Sequence, residues 1–181
     1  MEIERETELN QLIAAKHNGF VKIITGIRRC GKSYLLFTLF RRHLLQSKVP
    51  EDHIVTVDLE SFSAQSLHNP IALAEYIRKR LKNDGKWNYV LIDEIQHCKA
   101  VRPEGLDISR VHPADRKDCY VKFYSVLSEL RNTPNVDVYV TGSNSKLLAR
   151  DVATATPPAT RRNVEFLKIP VAVAAGDLLW Q

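Results

Sequence analysis

Residues Val21 to Thr25, VKIIT, lead straight into GIRRCGKSYLLFTLF, where Gly26, Gly31, Lys32 and Ser33 stand at fixed spacing ahead of a helical stretch. No other part of the chain restricts its fold as much. A strand must end at a glycine-bearing curl, and a helix must begin where the curl closes. Glycine permits dihedrals and close backbone approach that a side chain would block. The helix predicted from about Gly31 carries Leu35, Leu36, Leu39, Phe40 and Leu44 on one stripe, the spacing of a buried face.

The same alternation runs on through the chain. Glu4 to Lys16 places Leu9, Leu12 and Ile13 at helical spacing, and HIVTVDLE reads as a second strand. Pro70 can open the next helix at its first turn. That helix repeats Ile71, Ala74, Ile77 and Leu81 before KNDGK closes it. NYVLIDEIQ and VDVYVTGSNS are further strands, and Tyr120, Phe123, Tyr124, Leu127 and Leu130 mark a helix between them. Strands alternating with helices predict an α/β fold, a doubly wound parallel sheet with helices on both faces. YVLI shows no polar alternation, which fits a strand covered on both sides. The polar excursion from Cys98 to Asp118, about 20 residues, exceeds an ordinary connection and reads as a functional loop or an insertion. One more strand is expected around Val164 to Val171. These elements suggest a domain over 1–154 and a divergent tail over 155–181.

Composition excludes more than it selects. With 181 residues, 44% hydrophobic and 26% charged, the chain suits one globular domain with a sizeable core. A net charge of +5 permits an anionic partner without requiring one. The three cysteines, Cys30, Cys98 and Cys119, form no C-x-x-C pair, so neither a disulfide framework nor a zinc site is indicated. MEIERETELNQL lacks the apolar core of a signal peptide, and no run approaches the roughly 18 apolar residues of a membrane span. The expectation is a soluble, cytoplasmic protein that does not contact a membrane.

Gly26, Gly31, Lys32 and Ser33 match G-x-x-x-x-G-K-[ST], the P-loop pattern. The intervening residues let the backbone curl until successive N–H groups point at phosphate oxygens. Closing the curl on a helix adds the positive end of its dipole. The predicted nucleotide contacts are therefore Gly26, Ile27, Arg28, Arg29, Cys30, Gly31, Lys32, Ser33 and Tyr34. Lys32 would reach the β- and γ-phosphates, and Ser33 would help hold Mg2+.

The other half of the site should be an acidic residue at the end of a neighbouring strand. Tyr89 to Ile92 lead into Asp93 and Glu94. Asp93 would act on Mg2+, largely through the water shell that this ion keeps. Glu94 would orient and polarise the attacking water. At the end of VDVYVTG, Ser143 and Asn144 could read the γ-phosphate or simply cap a helix. Arg28 and Arg29 could face phosphate, pair with acidic neighbours or meet another subunit. His97 reads as a packed or surface histidine.

A GTPase would need D-x-x-G and N-K-x-D motifs, and neither follows where it should. The adjacent acidic pair argues for water as the acceptor, hence hydrolysis. Taken together, GFVKIITGIRRCGKSYLL, YVLIDEIQ and VYVTGSNSKLLARDVAT resemble the bacterial and archaeal AAA-type P-loop ATPases, over most of residues 1 to 154. GLDISRVHPADRKDCYVKFYSVLSELR resembles an insertion common in the bacterial members. The resemblance implies an AAA+ fold, ATP and Mg2+ as ligands, Asp93 and Glu94 as the acidic pair, and Ser143 and Asn144 near the phosphate sensor. It also implies self-association through an AAA face, with an arginine such as Arg161 or Arg162 entering a neighbour's site. Family members continue into a helical part and a nuclease-like C-terminal domain. The tail TATPPATRRNVEFLKIPVAVAAG departs from their pattern, which predicts a truncated module, either a fragment or the product of a frameshift near residue 155. Two other readings compete with hydrolysis. One is a nucleotide-binding switch with little turnover. The other is a nucleic-acid-associated ATPase, resting on the positive charge and on RKRLKNDGK.

Overall fold

The computed structural model describes residues 5–114, 116–143 and 164–168. Helix α1 (Glu6–Ala14) precedes strand β1 (Val21–Thr25). The P-loop follows, and then a helix in three parts: α2 (Lys32–Tyr34), a π-helical turn over Leu35–Phe40, and α3 (Arg41–Gln46). After these come β2 (Ile54–Asp58), α4 (Pro70–Arg78), β3 (Asn88–Asp93), α5 (Phe123–Asn132), β4 (Val136–Gly142) and β5 (Val164–Lys168). Among the described residues these strands form one sheet in the order β2-β3-β4-β1-β5, and every pairing is parallel. All strand C-termini therefore lie along one edge of the sheet.

The core divides by strand alternation, as a sheet covered on both faces requires. Ile23, Val90, Ile92, Val138 and Val140 face α4 and α5, where Leu73, Ile77, Phe123, Val126 and Leu130 pack on them. Ile24, Tyr89, Leu91 and Tyr139 face the other way, against Leu12 of α1 and Leu35, Leu36, Phe40 and Leu44. The π turn widens the helix by one residue per turn. With that widening the adjacent Leu35 and Leu36 are buried together with Phe40 and Leu44. Leu39, expected on the same stripe, is only partly buried.

Two expectations change. Ile71 is 38% exposed, and Leu73 takes its place in the core. Asn69 caps α4 by accepting from the Ile71 N–H at 2.9 Å, and Pro70 fills the first turn; the buried face is Pro70, Leu73, Ala74 and Ile77, which keeps the expected Ala74 and Ile77 and leaves Ile71 at its edge. Secondly, β3 does not neighbour β1. Strand β4 lies between them, so the acidic turn sits two strands from the P-loop strand. The strand expected in the tail is present as β5 and pairs with β1 from Val21↔Val164 to Thr25↔Lys168. The long excursion after β3 forms short 3-10 turns and is tied at its base by a bridge between Val101 and Val121.

A charged cluster is sealed under the far half of the sheet. Lys22 on β1 is fully buried and forms an ion pair with Asp137 on β4. Asp137 also accepts from the His17 backbone N–H and the Tyr139 hydroxyl, each at 3.1 Å. Burial pulls the Lys22 ammonium below its ordinary pKa, while Asp137 works in the opposite direction.

Candidate functional site

The site lies on the edge where the strands end. Gly31 closes the P-loop with φ +82°, a left-handed conformation that favours glycine. A Cβ there would also meet the Arg5 guanidinium at 3.2 Å. Arg5 stands just before α1, is 6% exposed and donates from Nη2 to the Cys30 carbonyl. The buried cation braces the loop from behind, and its Nη1 has no partner among the described residues. The charged N-terminal segment gave no sign of this contact.

Lys32 is 3% exposed, so its ammonium must be satisfied inside the protein. Nζ donates to the Ile27 carbonyl at 3.1 Å and to the Gly26 carbonyl at 3.4 Å, and lies 3.8 Å from Glu94 Oε1. Ile27, Arg28, Arg29, Ser33 and Tyr34 are exposed around the loop, while Cys30 is buried and Gly26 half-buried. Arg28 takes the second of its open alternatives, pairing with Glu60 at 3.2 Å on the surface. Arg29 holds a left-handed φ of 64° at the crest of the loop.

Asp93 ends β3 beside Asp58, its register partner on β2. It is 3% exposed and accepts a hydrogen bond from the Thr141 hydroxyl. Burial raises the Asp93 carboxyl above the usual carboxylate range, and the hydroxyls of Thr141 and Ser33 oppose that rise. Thr141, on the intervening strand β4, ties the acidic turn to that strand. Its Oγ1 donates to Asp93 Oδ1 and accepts from the Glu94 backbone N–H at 2.9 Å. Glu94 itself is left-handed, with φ 51° and ψ 54°. Such a conformation costs on the order of 1–3 kcal/mol and persists only where neighbours impose it.

Gln96 completes the turn. Its Nε2 donates to Glu94 Oε2 and, at 2.9 Å, to Ser143 Oγ. Of the expected site residues, the P-loop group, Asp93, Glu94 and Ser143 thus converge at one edge. Asn144 lies outside the described residues, as do Arg161 and Arg162. His97 is packed, its ring stacked on His68 at 5.7 Å, in line with the structural reading. Thr141 and Gln96 were not expected in the site. Both are printed within the motif strings, in VTGS and DEIQ, but only the strand order shows what they touch.

The donor set suits a hard divalent ion. Among the described residues no three His, Cys, Asp or Glu side chains cluster to cage a metal. The Ser33 hydroxyl at the end of the loop and the Asp93 carboxylate at the end of β3 fit Mg2+ instead, which takes much of its shell from phosphate and water.

A family model described as an AAA domain matches residues 18–170. The chain belongs to the AAA domain family. Its fold is that of an AAA-type P-loop NTPase domain. An uncharacterized protein of Haemophilus influenzae is 31% identical over 152 residues, covering 84% of this chain and 32% of the relative. An uncharacterized protein of Methanocaldococcus jannaschii is 27% identical over 158 residues, covering 84% of this chain and 26% of the relative. The chain therefore spans about a third or less of the length of these curated relatives. A solved Walker-type ATPase of Pyrococcus abyssi shares the fold, with a TM-score of 0.55 at 16% identity, over 94% of this chain and 53% of that one. No helix among the described residues of this AAA domain is long and apolar enough to cross a membrane.

Proposed function

We propose that this AAA domain binds ATP with Mg2+ at the P-loop and hydrolyses it. The observation that carries the reading is the approach of Lys32 Nζ to 3.8 Å from Glu94 Oε1, which brings the P-loop lysine onto the acidic turn from two strands away. Backbone N–H groups from Gly26 to Ser33 would hold the phosphates, with Ile27 to Cys30 forming the wall of the loop and Tyr34 the start of the helix beyond. Lys32 would exchange its loop carbonyls for β- and γ-phosphate oxygens, a stronger charge-assisted bond. Ser33 and Asp93 would hold Mg2+, which neutralises charge building on the phosphates.

Glu94 is the residue proposed to orient the attacking water and take up its proton. Thr141 and Gln96 fix it on two sides, so little reorganisation is needed when water arrives. Ser143, and Asn144 beyond it, would read the γ-phosphate. Arginines supplied by a second copy raise P-loop hydrolysis by about 10³–10⁵. Arg161 or Arg162 is proposed for that role, so the isolated domain should be slow.

In RKRLKNDGK four of the five cations are engaged within the chain, which weighs against the nucleic-acid reading. Arg78 pairs with Glu129, Lys82 with Asp52 and Lys86 with Asp84, while Arg80 lies over the Tyr76 ring at 3.5 Å. The test of hydrolysis is single-turnover cleavage of γ-labelled ATP by the wild type and Glu94→Gln. Loss of at least about 100-fold in the variant is expected, the usual worth of a general base. Equal rates would leave the domain as a nucleotide-binding switch.

A further inference from the structure

We infer that Gln96 is the positioning residue that aims Glu94, by tying it to the end of β4 through Ser143. The inference rests on the reading of Glu94 as the group that orients water. A glutamine amide nitrogen has two N–H donors, and here each has its own acceptor, Glu94 Oε2 and Ser143 Oγ. This arrangement sorts the remaining lone pairs and protons of the site.

With Oε2 engaged, Glu94 keeps Oε1 for water once Lys32, whose Nζ lies 3.8 Å away, has moved to phosphate. Because Ser143 accepts from Gln96, its own O–H proton is left to donate elsewhere, which is what a γ-phosphate oxygen needs. If Ser143 instead donated its proton to Glu94, the phosphate would lose that donor. Gln96 therefore holds both neighbours in complementary roles with one planar group. Its carbonyl oxygen is closed to solvent and has no partner among the described residues. A side chain retained only for its own hydrogen bonding would not leave this acceptor open. Glu94 in addition sits in a left-handed turn, held by Thr141 on its backbone side and by Gln96 on its carboxylate side.

The test compares Gln96→Met, which keeps length and volume without donors, with Gln96→Glu, which keeps the shape and replaces donors by acceptors. Affinity is read by titrating a fluorescent ATP analogue with Mg2+, and cleavage by single turnover at saturating ATP. Both variants should bind within about threefold of wild type and cleave at least about tenfold more slowly, as expected for loss of a hydrogen bond to a charged group. In a Glu94→Gln background, Gln96→Met should lower the residual rate by less than about twofold, because the two act as one unit. Wild-type cleavage by Gln96→Met would overturn the inference. So would an equal fractional loss in both backgrounds, which marks general structural damage.

A wild-type chain that shows no cleavage would defeat the hydrolysis reading by itself. The tie is then read by NMR, from the Gln96 side-chain amide resonances, assigned through their loss in Gln96→Met. They should shift in both Ser143→Ala and Glu94→Gln. Resonances unmoved in either variant would overturn the inference.

Discussion

Replacing Thr141 by valine removes one hydroxyl and leaves the shape of the side chain almost intact. Thr141 is fully buried, so no water can replace what is lost. The Glu94 N–H, which donates to Oγ1 at 2.9 Å, is left without that acceptor. A buried donor stranded in this way costs about 1–3 kcal/mol. Asp93 loses the Thr141 hydroxyl, a bond to a charged group worth about 1.5–3 kcal/mol. The two losses share one atom and do not simply add, so we expect about 2–4 kcal/mol in total. For a chain of this size, that corresponds to a fall in Tm of roughly 4–16 °C. Thr56 on β2 is exposed and provides the matched control, since Thr56→Val should stay within about 0.5 kcal/mol of wild type. Urea unfolding of both variants makes the comparison. A Thr141→Val chain as stable as Thr56→Val would refute the claim that this hydroxyl joins the acidic turn to β4.

The buried ion pair makes a pH-dependent prediction. Asp137→Asn strands Lys22 inside the sheet and should cost about 3–5 kcal/mol at neutral pH. Burial already lowers the Lys22 pKa, and losing Asp137 removes what holds it up, so the folded value falls further below the unfolded one. Between those values the unfolded chain binds more protons, and stability must rise with pH. The urea midpoint of Asp137→Asn should therefore climb from pH 7 to pH 10 more steeply than that of wild type, and a flat or falling trend would contradict the assignment. On α4, Leu73→Ala should cost about 2–5 kcal/mol, while Ile71→Ala should cost under about 1 kcal/mol. Equal losses by denaturation would contradict the burial of Leu73 rather than Ile71.

What could be read from the sequence were features written in local order. The strand running into Gly26 and the Gly31-Lys32-Ser33 turn lie next to one another in the chain, and so do the apolar run and the Asp93-Glu94 pair. Their physical reasons are local too: apolar burial, glycine dihedrals and the first turn of a helix. Strand order is not local. Nothing in VDVYVTG says that it will lie between β1 and β3, yet that placement is what gives Thr141 its two partners. Arg5 was illegible for the same reason, since its contact with Cys30 spans the first helix and strand. Lys22 and Asp137 look like polar interruptions of two strands until the pairing of β1 with β4 puts them on one face. On α4 the spacing found Ala74 and Ile77, but whether Ile71 or Leu73 flanks them inside depends on the sheet it packs against, which helical spacing alone does not specify.

Equilibrium binding of a fluorescent ATP analogue with Mg2+, by the wild type beside Lys32→Ala, tests the central claim most directly. Lys32 lies buried against the loop carbonyls and Glu94, poised to exchange them for phosphate. Saturable wild-type binding, weakened at least about tenfold in the variant, is the predicted result. Equal binding by both chains, or none by the wild type, would contradict the assignment of this loop as the nucleotide site.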